Sequence, residues 1–521
     1  MALCAILYLP SLFWALGLDQ NIFAEIGWLL LHGKKLYVNA WDVKPPNVFY
    51  VYAFFEWIFG PHGFAVRASD YVFAMFACAA VYVVTLRQAP HSGRNGGEWT
   101  APVASILLIL TLLSLGLADT AQTESYSLVF LIGASVFVQS RRIPGLKRND
   151  AALIFLAGIV LGIATFFKTT NAVFLVAIAV ELWLYNRGRW IRAMLLLLAG
   201  FAAWCAVQLG VLAATGSLEE YLRIASSVMM NHPNELSQLR LSDVPRAVWT
   251  YVDVWSALAL IALMIAAFRR DLSFLRAALS PILLLLAGIA AVLIQRKGWG
   301  YQYVVILPGL VWLCAMSAAY VYDFLRSHAP KFAMPTLIAV AMVTIFITPS
   351  AHRRIHYSWD AIQSIRDHPA YLATLGRKQS LYYPLCTDSL ANYLAKNTQP
   401  SDEVYIVGDE PGAYWRSDRI PATRFVYSLL FTSGVIPDAD LRAIQDSLIR
   451  KKPTIIVIER YDTTAFRLHP ETSESLVERD ASFQPLKSLI AAQYTAPDTL
   501  CENFLIYKRR SAPSPSVGSG N

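Results

Sequence analysis

Apolar residues come in long runs rather than in alternation over the first two thirds of the chain. Runs near 1–18, 64–86, 101–118, 125–140, 151–167, 172–185, 193–214, 248–268, 277–294, 303–322 and 332–349 stand out. Most reach about 17 residues or more, the length a helix needs to cross ~30 Å of hydrocarbon. The pattern predicts about eleven transmembrane helices, of which 125–140 and 172–185 are short. The first run has no basic stretch and no small-residue cleavage site before Asp19, so it reads as an uncleaved helix rather than a signal peptide.

After Pro349 the texture changes. Short β-rich runs at 403–408, 424–431, 453–460 and 504–508 alternate with helical patterns at 387–398 and 438–451. Strands alternating with helices predict a small α/β domain over 350–510. The Ser-, Pro- and Gly-rich tail 511–521 reads as disordered. The expected fold is therefore an α-helical polytopic membrane protein (1–349) carrying a small C-terminal α/β domain. No internal repeat of the inverted-transporter kind is visible.

Composition sharpens this. Of 521 residues 56% are hydrophobic and only 15% charged, against about 25% charged in soluble domains. An ordinary soluble enzyme is excluded. The formal charge of +8 is spread over loops rather than gathered on a polar segment, which excludes a nucleic-acid-binding domain. Basic residues concentrate in one alternating set of short loops: Arg87 and Arg94; Arg141, Arg142, Lys147 and Arg148; Arg187, Arg189 and Arg192; Arg269, Arg270 and Arg276; Arg326 and Lys331. That set reads as cytoplasmic. The other set, 19–63, 119–124, 168–171, 215–247 and 295–302, then faces outward, and so does the C-terminal domain. Cys386 and Cys501 both fall in that domain, where an oxidising compartment would permit a disulfide; the sequence alone does not pair them.

Charged groups near hydrocarbon are expensive and usually have a task. Here they collect on the outward side. The first outer loop opens with Asp19-Gln20-Asn21, continues as an amphipathic helix toward Gly33, and reaches Trp41-Asp42-Val43-Lys44-Pro45-Pro46. The stretch 19–63 reads as lying in the membrane interface. Asp19 is either an N-cap or a carboxylate at the rim of an outward cavity, able to act as a general base; the two are compatible. Asp42 and Lys44 are either a surface ion pair, with Lys44 snorkelling to headgroups, or a rigid platform presenting a cation to a phosphate. Asp119, Gln122 and Glu124 share one tight turn, Lys168 sits in another, and Arg296 and Lys297 precede Trp299, Tyr301 and Tyr303 in a third. Interfacial anchoring explains any one of these turns. Their recurrence suits cations for an anionic lipid headgroup and carboxylates for an acceptor or base. His352 and His356, four apart with no third ligand evident, read as a solvated stretch, and no phosphate-cradling Gly-rich loop is present.

The run Asp19…Gly33-Lys34-Lys35-Leu36-Tyr37…Trp41-Asp42-Val43-Lys44-Pro45-Pro46, with Phe59-Gly60 and Arg67 beyond it, resembles the first outer loop of the GT-C integral-membrane glycosyltransferases. Within that class it is similar to the dolichyl-phosphate-mannose-protein mannosyltransferase type, whose bacterial relatives include the aminoarabinose transferases of lipid A. The 122–124 turn, Lys168-Thr169, and 298–303 with Pro308 resemble later landmarks of that family. Asn397-Thr398…Gly408-Asp409-Glu410-Pro411 resembles its bacterial C-terminal domain. The resemblance implies a polyprenyl-phosphate sugar donor, an outward-facing site in the bacterial inner membrane, and an acidic first-loop residue, here Asp19, as catalytic base. Many members carry an Asp-Glu pair where this chain has Asp19-Gln20, a departure that bears on acceptor choice. Lys44, Lys168, Arg296 and Lys297 would hold the donor phosphate. Asp42, Arg67, Asp119, Gln122, Glu124, Tyr301 and Tyr303 would contact substrate. Direct displacement inverts the anomeric centre; with a lipid phosphate as leaving group no nucleotide-binding metal cluster is required, and no cofactor is expected. The expected function is transfer of a sugar to a hydroxyl of a lipid, polysaccharide or protein of the envelope. The alternative from another class is a transporter or flippase of a lipid-linked saccharide, which would need ionisable groups deep in its spans. A third is a catalytically silent member whose outer domain binds a glycan or partner.

Overall fold

The structure is a computed structural model of the full chain. It describes all residues except 89–96, 141–149, 186–188, 230–242, 377–382, 429–437, 461–474, 480–482 and 511–521. Arg94, Arg141, Arg142, Lys147, Arg148, Arg187, residues 429–431 of one expected strand, and the tail lie outside the described residues. The protein is a helical membrane protein with a small C-terminal sheet.

Each expected span is occupied by helix, and three of them are interrupted: the first run, 101–118 at Gly116 (φ 75°), and 248–268. The first run forms Ala2–Tyr8, tightens into the 3₁₀ turn Leu9–Phe13, and goes extended before a new helix starts at Leu18. Pro10 opens the 3₁₀ turn, and a proline cannot donate to a continuing ladder. The eighth run breaks at Asp253 (φ 44°) between Asp243–Val252 and Val254–Phe268. Among the described residues five helices are long and apolar enough to cross a membrane alone, and up to eight spans result if each bent pair counts as one. The expectation of about eleven treated every apolar run as a crossing. Asp150–Thr165 and Thr169–Leu184 are shorter apolar helices.

Two compact units emerge. The first comprises Met1–Ala15, Val43–Leu222 and Leu236–Asp367 and holds the main apolar core, from Cys78 and Leu108 to Val311 and Trp312. On its periphery, Leu195, Leu198, Val207 and Val211 of Trp190–Ala214 are exposed, as lipid-facing residues should be. The helix Pro349–Arg366 belongs to this unit and is bent 49° from Pro330–Phe346. Its exposed Ile355, Trp359, Ile362 and Ile365 form an apolar stripe, while Ser350, Ala351, Asp360 and Ala361 are buried. A division of the chain at 349 therefore falls at the head of a helix that packs with the membrane unit.

The second unit comprises Leu16–Asp42, Arg223–Glu235 and His368–Asn521. It contains a five-stranded sheet of order β2-β1-β3-β5-β4, with β1 Glu403–Val407, β2 Ile420–Pro421, β3 Ile455–Glu459, β4 Asp498–Leu500 and β5 Phe504–Lys508. β1 pairs parallel with β2 and β3, whereas β5 runs antiparallel to β3 and β4. In β3 every residue is buried, the mark of a strand covered on both faces. The expected strand at 424–431 is an extended loop through its described part, and the two-residue β2 ahead of it takes the sheet edge. Helices Pro384–Asn397 and Asp438–Lys451 occur where expected. Cys386 and Cys501 form a disulfide across a Cα–Cα distance of 6.0 Å.

Candidate active site

The expected site residues fall into both units. In the second, Asp19 stands in the first turn of Leu18–Leu31. Gly17 is the N-cap and no side chain caps this helix, so the Asp19 carboxylate is not spent as a cap. It is half-buried and followed by the buried Gln20 and Asn21. The same helix is fixed through Asn21, whose Oδ1 accepts from Arg416 Nη2 at 3.2 Å. At the far end of the loop, Trp41 donates its backbone N–H to the Arg424 carbonyl at 3.0 Å and its ring lies 4.8 Å from that of Phe425. Asp42 is thereby fully buried and accepts from the Tyr427 hydroxyl at 3.1 Å. Burial pushes the Tyr427 phenol far above its ordinary range; Asp42 adds most to that, then Asp19 and Asp409. Three carboxylates thus act electrostatically on the Tyr427 hydroxyl, and Asp42 accepts its hydrogen bond. Asp409 is held by the Ser428 N–H at 3.0 Å, and its own N–H donates to Glu459 at 2.7 Å. Beside it, burial pushes the Glu410 carboxyl up to about 8.

In the first unit, Lys168 leaves the helix Asp150–Thr165 in extended conformation and caps the turn Thr169–Val173. Its ammonium lies 3.0 Å from Glu124 Oε1 and 5.9 Å from the centre of the Tyr301 ring. Lys44 reaches the same ring at 5.8 Å. Thr123 donates to the other Glu124 oxygen at 2.6 Å. Asp119 accepts from the Tyr301 backbone N–H at 3.1 Å. Gly300 is what allows this: a Cβ there would collide with the Asp119 carboxylate. The structure therefore brings Lys44, Glu124, Lys168, Asp119 and Tyr301 together. Arg296 takes the left-handed C-cap of Leu272–Gln295, and buried Lys297 lies 4.9 Å over Trp299 in the same loop. Tyr303 is buried in the following turn.

Arg67 and Gln122 also make hydrogen bonds to the backbone. Arg67 is fully buried and donates to the carbonyls of Trp14, Ala15 and Leu117 and to Thr120 Oγ1. Gln122 is buried and donates back to the Ala118 carbonyl at 3.0 Å. Sequence reasoning missed Asp70, which accepts from Tyr8 Oη and the Ala121 N–H, both at 2.8 Å, and so pins the 119–124 turn. Its signal was an ionisable residue inside an apolar run. It also missed Tyr427, which stood inside an expected strand.

The chain, with its helical membrane unit and small mixed sheet, resembles the GT-C integral-membrane glycosyltransferases. Residues 43–211 match the family described as dolichyl-phosphate-mannose-protein mannosyltransferase. Among solved structures the fold is shared with ArnT from Cupriavidus metallidurans bound to undecaprenyl phosphate, with a TM-score of 0.57 at 11% identity over 97% of this chain and 96% of that one. The same transferase in its apo state gives 0.57 at 13% identity with the same coverage. AglB, the oligosaccharyltransferase of Archaeoglobus fulgidus in complex with an inhibitory peptide and a dolichol-phosphate, gives 0.53 at 12% over 88% of this chain and 69% of that one. No curated protein sequence matches the chain.

Proposed function

We propose that this protein is an inverting glycosyltransferase that moves a sugar from a polyprenyl-phosphate donor to a hydroxyl of an envelope acceptor, on the outer face of the bacterial plasma membrane. The observation that carries the reading is the convergence of Lys44 and Lys168 on Tyr301 in the membrane unit. Two ammonium groups held beside one aromatic ring suit a lipid-borne phosphate, the group bound in the undecaprenyl-phosphate complex of ArnT and the dolichol-phosphate complex of AglB. The Cys386–Cys501 disulfide supports an oxidising compartment for the second unit.

In this reaction the Asp19 carboxylate takes the proton from the acceptor hydroxyl. The acceptor oxygen bonds to the anomeric carbon as the bond from that carbon to the phosphate oxygen breaks, on the opposite face. The phosphate departs on its lipid with the electron pair, and Lys44 and Lys168 offset the charge it gains. Arg296 and Lys297 extend the cationic surface toward the donor, and Asp119, Glu124 and Tyr301 hold the turns that carry it. Positioned base catalysis is worth about 10²–10⁴-fold. Asp19→Asn should therefore lower sugar transfer at least a hundredfold, with insertion and the disulfide intact on a non-reducing gel. Undiminished turnover in that variant would remove Asp19 as the base.

A further inference from the structure

Away from these residues, the second unit holds an open cavity of about 300 Å³ along the edge strand β2. Its wall carries four cations, Lys34, Arg424, Arg450 and Lys451, and no carboxylate. Two of the four are answered from outside the wall: Arg424 by Asp440 at 2.6 Å, and Lys451 by Glu403 at 2.7 Å. Lys34 and Arg450 enter no ion pair among the described residues. Leu29, Ile444 and Phe425 give the cavity an apolar floor. Phe425 is clamped between Trp41 and the Arg424 guanidinium, 4.9 Å from its ring centre. Pro421 removes one backbone donor from this sheet edge, so an added strand is not what the groove suits.

Like charges gathered around a recess repel one another, and an oxyanion that accepts charge-assisted hydrogen bonds from them removes that cost. Binding cavities run from about 300 Å³ upward, so this one sits at the small end. It admits a phosphate with a glycerol- or sugar-sized substituent, not a whole glycolipid. We propose that the cavity is an anion subsite taking a phosphate group, with Lys34 and Arg450 as its principal ligands. The proposal stands apart from the transfer reaction above. Phosphate reaches such a site either free or on a lipid headgroup.

The test uses the purified full chain in uncharged detergent, titrated with inorganic phosphate, short-chain phosphatidylglycerol and short-chain phosphatidylcholine. Phosphatidylglycerol should bind with an affinity that falls as salt rises. Lys34→Ala with Arg450→Ala should weaken it about tenfold or more, while Lys34→Arg with Arg450→Lys should stay within threefold of the parent. Melting behaviour and the disulfide of each variant confirm that it folds. A Lys44→Ala variant that keeps the Lys34- and Arg450-dependent binding separates this cavity from the donor site. Displacement of the lipid by inorganic phosphate assigns recognition to the phosphate itself; binding of the lipid that phosphate fails to displace assigns it to the lipid-borne group. Equal binding of phosphatidylcholine, or unchanged phosphatidylglycerol binding in the double alanine variant, would overturn the proposal.

Discussion

Replacing Lys168 by Met separates two roles that this residue is given. Its ammonium is 3.0 Å from a Glu124 carboxylate that is fully buried, and the lysine itself is 13% exposed. At that distance two unit charges attract by roughly 5.5 kcal/mol at an effective dielectric of about 20. Desolvating both ions consumes most of that gain, so the pair as a whole adds little to stability. Removing one partner is different, because it strands the other charge in the interior and typically costs about 3–5 kcal/mol. Lys168→Met should therefore destabilise the protein by about 3 kcal/mol in denaturant melts. Adding Glu124→Gln should restore most of the loss. Donor binding should not follow. A charge-assisted hydrogen bond to phosphate is worth about 1.5–3 kcal/mol, so both the single and the double variant should bind radiolabelled polyprenyl phosphate roughly 10- to 100-fold more weakly. If the double variant binds that lipid like the parent, Lys168 only neutralises Glu124 and the donor assignment is wrong. If the single variant melts like the parent, the pair does not have the energetic weight its burial requires.

Tyr427→Phe removes the hydroxyl that donates to Asp42; loss of one hydrogen bond of about 1 kcal/mol at a positioning residue should slow turnover several-fold with donor KM unchanged, and a shifted KM instead would make it a binding residue. The Glu410 carboxyl, lifted by burial from near 4.5 to about 8, holds its proton in the folded state where the unfolded chain has lost it. Its contribution to stability is therefore fully present below about pH 4.5 and is lost as pH rises to about 8. Glu410→Gln should flatten the stability profile across that window, and a slope identical to the parent's would contradict the assignment. Gly116 lies at φ 75° inside Gly97–Asp119, with the Tyr357 ring where its Cβ would be. Gly116→Ala should cost about 1–3 kcal/mol from the backbone alone, plus a clash that Tyr357→Ala relieves, as melts of the single and double variants would show.

Much of the fold was legible because hydrocarbon imposes a minimum length on what crosses it. The runs 64–86, 101–118 and 193–214 map onto Gly63–Gln88, Gly97–Asp119 and Trp190–Ala214. Breaks were not legible, since Trp14 to Gly17 lies within a largely apolar run, and Asp253 is a single polar residue outweighed by the apolar stretch after it. β1, β3 and β5 announced themselves as continuous apolar stretches, whereas β2 is two residues long and its pairing depends on β1 across the fold. Residue type and loop position picked out Lys44, Lys168, Glu124 and Asp119, which the structure brings close to Tyr301. They gave no sign of the carbonyls that an arginine meets far along the chain, and Arg67 donates to those of Trp14, Ala15 and Leu117. Tyr427 was hidden because its partner, Asp42, is 385 positions away in the chain.

That long reach has a bearing on biogenesis. The helix Leu18–Leu31 leaves the ribosome early, yet the element it packs with in the second unit, Gly412–Ser417, is made roughly 400 residues later. At 5–20 residues per second that is a wait of roughly 20–80 s. During it the segment bearing Asp19 lacks its mate, and unfinished chains hold an unassembled acid. A chain cut short before Gly412 therefore lacks the partner of the helix that bears Asp19.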